Sequence, residues 1–157
     1  SSNLGNKMLP KKHILYGLIF SIVISFLFNL TLLEVGLIFL ASFLLDFDHY
    51  LYSVFREKTF SLKKAYLGFI KKGKKFRRLA KQERRNYVSG FYLFHGLETL
   101  VVLGLLGFFV SDYFYFILTG VAFHLILDYL HCMQEFHYPL KISVIWDYFQ
   151  FGKLKKL

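Results

Sequence analysis

The stretch Tyr113-Phe-Tyr-Phe-Ile-Leu-Thr-Gly-Val-Ala-Phe-His124-Leu-Ile-Leu-Asp128-Tyr-Leu-His131-Cys132 decides the fold. It is apolar over a length that crosses hydrocarbon, yet it carries two imidazoles and a carboxylate. At about 100° per residue, positions i, i+4 and i+7 fall within an arc of roughly 60° on one helix face. A charged side chain at the centre of a spanning helix costs about 2.5–3.5 kcal/mol on insertion scales. Such groups must be neutralised, and a shared divalent cation would do so. Ionisable residues inside a membrane mark a functional site by default.

Three further apolar segments lie outward from this one. Ile14–Leu33 is uncharged throughout, and no small-x-small cleavage site follows it, so it reads as a retained helix rather than a signal peptide. A turn at Leu33-Glu34 leads into Val35 to about Phe55, which is interrupted by Asp46-Phe47-Asp48-His49. Ser89–Val110 holds His95 and Glu98, and the turn Ser111-Asp112 joins it to the fourth segment. The pattern predicts an all-α polytopic membrane protein with four transmembrane helices at about 14–33, 35–55, 89–110 and 113–132. Composition agrees: the chain is 55% hydrophobic and 20% aromatic, far from a soluble average and suited to aromatic belts at both interfaces. Ser1 to Lys7 precede Met8 and look like an expression remnant, leaving 8–157 as a single membrane domain by length.

Most of the 20 basic residues fall between the second and third segments, over 56–88. Leu62, Tyr66, Phe69 and Ile70 recur there at helical spacing, which predicts a basic amphipathic helix lying on the bilayer. The net charge of +10 would indicate nucleic acid in a soluble protein. Beside these apolar runs it indicates anionic headgroups, and no nucleic-acid partner is expected. After Pro139, Ile142–Phe149 reads as an interfacial helix anchored by Trp146, within a C-terminal segment 139–157 that ends in Lys153, Lys155 and Lys156. The basic segments before the first span, after the second and after the fourth put both termini and the insertion in the cytoplasm. The single cysteine, Cys132, excludes an internal disulfide and a thiolate zinc cluster.

That topology fixes depth. Asp46, Asp48 and His49 come where the second span nears the cytoplasm, and His95 and Glu98 come in the first turns of the third. Asp128 and His131 lie at the cytoplasmic end of the fourth span with His124 one turn deeper, and His13 lies at the mouth of the first. Taken singly, a histidine in an apolar helix is a packing residue and an acid near a helix end is a cap. The common leaflet is what points to a site. Asp46 and His49, like His95 and Glu98, are spaced i, i+3, and helical bundles build dinuclear carboxylate–imidazole centres from such inward pairs. Imidazole with carboxylate and no thiolate suits zinc, manganese or iron. His137 and Glu135 fall past the span and read as surface groups.

At these residues the chain resembles the LexA-regulated, membrane-bound metal-dependent hydrolase family. That family has an early His, then Leu-Pro-Asp-Ile-Asp-His, a His-rich middle motif, and Gly-Tyr-x-x-His-x-x-x-Asp. His13 matches the first. Leu45-Asp46-Phe47-Asp48-His49 matches the second with Leu45 in place of Pro, and Gly120 to Asp128 matches the last. The middle motif differs: Phe94-His95-Gly96-Leu97-Glu98-Thr99 stands where the family has His-Arg-Gly-x-Thr-His-Ser.

The resemblance implies a membrane hydrolase holding one or two divalent ions, zinc or manganese, on His13, Asp46, Asp48, His49, His95, His124 and Asp128. Glu98 is the expected base or extra ligand, Asp48 shares a catalytic role, and His131 is expected either to support a ligand from behind or to act as the leaving-group acid. The expected substrate is a phosphoester of a lipid or other amphiphile at the cytoplasmic face. Two rivals stand beside this reading. One is a transporter that passes a metal ion or proton through the same ligands. The other is a non-catalytic adaptor, which leaves the buried acids unexplained.

Overall fold

The computed structural model describes residues 10–58, 60–79, 83, 87–88, 94–136, 143, 145, 148–149 and 155–156. The chain divides into two compact units, Ser1–Leu45 with Glu98–Leu140, and Asp46–Leu97 with Lys141–Leu157. Both are helical, apart from a two-residue strand pair in the second.

In the first unit, α1 (Pro10–Phe28) starts at a proline, which is at home in the first helical turn because its missing N–H needs no partner there. It ends on Asn29, whose φ of 50° is left-handed. The Leu30 N–H closes back on the Ser25 carbonyl at 3.3 Å, the Schellman arrangement that satisfies the last carbonyls of a helix. Thr31 then caps α2 (Leu32–Leu44): its hydroxyl accepts from the Glu34 N–H, and the Glu34 carboxylate accepts from the Thr31 N–H at 2.7 Å. α5 (Leu97–Phe109) and α6 (Tyr113–Phe136) form a hairpin whose turn is closed by Phe114 N–H to Ser111 O and Tyr115 N–H to Asp112 O. The Tyr115 ring covers Gly107, where a Cβ would come within 2.7 Å of it.

The helices of this unit approach closely through small residues. Gly120 of α6 lies against the Ile38 carbonyl and the Ala41 Cβ of α2, and Gly17 of α1 lies against the Ser42 hydroxyl. Phe20 stacks on Phe123 with ring centroids 4.0 Å apart, nearly parallel. The polarity of the packing is inverted relative to a water-soluble bundle. His13, Ser21, Ser42 and His124 are buried, whereas Phe26 (82% exposed), Val101 (62%) and Phe108 (74%) face outward. Polar groups turned inward and apolar groups turned outward suit a hydrocarbon surround.

In the second unit, α3 (Phe47–Glu57) ends at Lys58 with φ 51°. Ser61 caps α4 (Leu62–Arg78), accepting from the Lys64 N–H. α3 packs on α4, whose Ala65 and Phe76 are buried. The Lys72 ammonium lies 5.1 Å from the Tyr52 ring centroid, and the Tyr50 hydroxyl donates to the Phe60 carbonyl at 3.0 Å. β1 (Tyr87–Val88) and β2 (Lys155–Lys156) pair in parallel, Tyr87 opposite Lys155.

Several expected boundaries move. The first helix begins at Pro10 and stops at Phe28, because the turn forms at Asn29-Leu30 and not at Leu33-Glu34. Glu34 is a capping residue inside the following helix. The expected second span is divided at Leu45-Asp46 into α2 and α3, and the backbone at both residues is right-handed. The third helix begins at Leu97, because Phe94 to Gly96 form a turn tied to Asp48. The fourth expectation holds, and Tyr113–Gln134 is one helix long and apolar enough to cross a membrane. Among the described residues the other apolar helices are shorter. The predicted amphipathic helix of the insertion appears as α4, whereas most of 139–157, Trp146 included, lies outside the described residues.

Candidate metal centre

The first unit gathers His13, His124 and Asp128. His124 and Asp128 stand one turn apart on α6, with His124 Nε2 3.4 Å from an Asp128 oxygen. His124 is fully buried, and its Nδ1 lies 2.8 Å from the Ser42 carbonyl of α2. A carbonyl can only accept, so Nδ1 carries a proton and Nε2 is the nitrogen turned toward Asp128. Gly120, one turn earlier on the same face, makes this bond reachable: a side chain there would hold α2 and α6 apart. From α1, His13 brings Nε2 to 3.2 Å from the other Asp128 oxygen, and its ring lies 4.2 Å from that of His124.

An Nε2 facing a carboxylate is satisfied by a proton on the ring or by a shared cation. The donor geometry fits a cation. Two ligands about 2.1 Å from a tetrahedral ion lie roughly 3.4 Å apart, close to the two imidazole–carboxylate separations here. One donor atom from each of the three residues lies within 4.8 Å of the others. His13 Nδ1 adds a second observation, because it is buried and makes no hydrogen bond among the described residues. Buried ring nitrogens are ordinarily paired, and an orphan one calls for an ion or ordered water nearby. Two imidazoles and a carboxylate leave the fourth position of a tetrahedral ion open, as in catalytic zinc sites. This buried His/Asp group could therefore hold a metal ion.

The second unit gathers Asp46, Asp48, His49 and His95. Asp48 is buried, accepts from the Phe94 N–H at 2.8 Å and lies 3.4 Å from His95 Nδ1 with the same oxygen. That arrangement turns the other nitrogen of His95, Nε2, away from the carboxylate, as the carboxylate partner of a metal-bound or proton-transferring histidine does. His49 Nε2 is 3.7 Å from Asp46, one turn back, and its ring lies 4.9 Å from that of His95.

His13, His124 and Asp128 meet in the first unit, and Asp46, Asp48, His49 and His95 meet in the second. Glu98 lies half-buried in the first turn of α5, and His131 lies half-buried beyond Asp128 on α6, outside the triad. Sequence reasoning missed the Ser42 carbonyl, a main-chain group with no signature in residue type. It also missed the role of Gly17 and Gly120, although glycine one turn before a histidine is the signal that could have revealed close helix contact. Searches of family models, curated proteins and solved structures find no match to this chain.

Proposed function

We propose that the protein is a multi-pass membrane hydrolase, dependent on a divalent metal, that cleaves a phosphoester of a lipid or other amphiphile. The observation that carries this reading is the Asp128 carboxylate between the Nε2 atoms of His13 and His124, on the inner faces of helices whose outer faces are apolar. The reading also draws on the resemblance to the membrane-bound metal-dependent hydrolases at His13, Asp46 to His49 and Gly120 to Asp128. Both termini and the basic insertion would lie in the cytoplasm.

One ion, zinc or manganese, belongs on His13, His124 and Asp128, and the second unit's acids and imidazoles offer donors for another. A bound divalent cation supplies Lewis acidity for hydrolysis. The remaining work falls to the chain. The Ser42 carbonyl fixes the His124 tautomer, so the lone pair is presented without reorganisation. Glu98 takes the proton from the attacking water as the ester P–O bond breaks, and His131 returns a proton to the departing alkoxide. Asp48 holds His95 so that Nε2 is available as ligand or acid–base group.

The test is elemental analysis of the purified protein together with phosphate release from phospholipid vesicles supplied with Zn²⁺ or Mn²⁺. The parent should hold metal stoichiometrically and release phosphate. Losing second-sphere partners alone costs about 10–100-fold in affinity, so His124→Ala and Asp128→Asn should lose at least that much. Turnover equal to the parent in both variants refutes the assignment. Metal flux across liposomes with no hydrolysis would establish the transporter instead.

A further inference from the structure

We infer that α4 is a docking helix for the anionic surface of a bilayer. The inference deepens the membrane placement proposed above and rests on it. α4 carries Lys63, Lys64, Lys71, Lys72, Lys74, Lys75, Arg77 and Arg78 and no acid. Its helical wheel explains what those charges border. Ala65 and Phe76 are buried and lie within roughly 20° of each other on the wheel, on the side that packs against α3. Apolar surface continues round the helix beyond that side. Leu62 is 67% exposed, Leu67 is 54% exposed and Tyr66 is 41% exposed. On the wheel Leu62 and Tyr66 are neighbours, Lys63 and Lys74 fall between Tyr66 and Leu67, and Lys71 and Lys75 lie beyond Leu67; all four lysines are exposed. Phe60, just before the helix, is 79% exposed and extends the apolar surface.

Exposed apolar side chains interleaved with lysines are the surface an interfacial helix presents. The apolar side chains enter the boundary between headgroups and acyl chains, and the lysines run their stems along it with the ammonium at phosphate level. A nucleic acid would take the charge but would leave Leu62 and Leu67 in water. The anionic leaflet satisfies both halves of the face. Each basic residue near such a surface contributes about fivefold to partition, so α4 as a whole should switch between docked and undocked states according to lipid charge.

The test uses the full-length protein with Cys132→Ser and Leu67→Cys, labelled at the new thiol with an environment-sensitive dye. The protein is placed in nanodiscs of phosphatidylcholine alone or mixed with phosphatidylglycerol. The dye should shift to the blue and resist iodide quenching in the anionic discs only, and added salt should reverse this. Lys74→Gln with Lys75→Gln should shift the docking equilibrium roughly 25-fold toward the undocked state. Equal emission in both discs, an unaffected double variant, or a blue shift produced by duplex DNA in neutral discs would each overturn the inference. Alkaline carbonate extraction separates the two readings. A released protein refutes membrane placement altogether, whereas a retained protein without a lipid-dependent shift refutes only the role of α4.

Discussion

Replacing Gly120 with alanine tests the geometry on which the metal centre depends. A Cβ at this position would lie 2.8 Å from the Ala41 Cβ and closer still to the Ile38 carbonyl. Carbon atoms rest at about 3.5–4.0 Å, so α2 and α6 must part by roughly 0.7 Å or more. His124 is one turn away, bonded to the Ser42 carbonyl at 2.8 Å. The same opening would stretch that bond to about 3.5 Å, beyond the range of an N–H···O bond. A buried donor left unsatisfied costs about 1–3 kcal/mol, and overpacking adds about 1–3 kcal/mol. Gly120→Ala should therefore unfold at lower temperature and bind Zn²⁺ or Mn²⁺ about 10–100-fold more weakly, the usual effect of losing a partner behind a ligand histidine. The control is Gly36→Ala on α2, where an added Cβ meets nothing within 4 Å. It should leave metal affinity unchanged and gain up to about 1 kcal/mol from helix propensity. Competition against a chromogenic chelator and thermal unfolding in detergent measure both quantities. If Gly120→Ala binds metal like Gly36→Ala and melts no earlier, close approach of α2 and α6 does not set the His124 geometry.

Two further substitutions probe single contacts. Asp48→Asn keeps the size of a side chain that accepts from the Phe94 N–H and faces His95 but removes its charge. It should cost about 1–3 kcal/mol of stability and reduce phosphate release while metal stays on the first-unit triad, which metal content and rate measured on one sample will reveal. Thr31→Ala removes the hydroxyl half of the α2 capping box and should lower stability by about 1 kcal/mol. Metal affinity should not change, and a loss of it would mean that α2 is held in place by its cap and not by its packing.

The amino-acid sequence by itself determined what depends on neighbours within a few residues. Periodicity determined helical character, the turn at Ser111-Asp112, and the cationic amphipathic helix that becomes α4. The i, i+4 spacing set His124 beside Asp128 on one face of α6, since residues one turn apart must be neighbours. Tertiary structure decided everything that needed a second helix. Only packing brings His13 to Asp128 and the Ser42 carbonyl to His124, across 82 positions in the second case. Only packing shows that Gly120 serves contact rather than flexibility, because hydropathy does not say how near two backbones come. The break at Leu45-Asp46 and the turn at Phe94–Gly96 both escaped the apolar pattern. At the turn, Asp48 takes the Phe94 N–H that a continuous helix would have bonded to its own carbonyl.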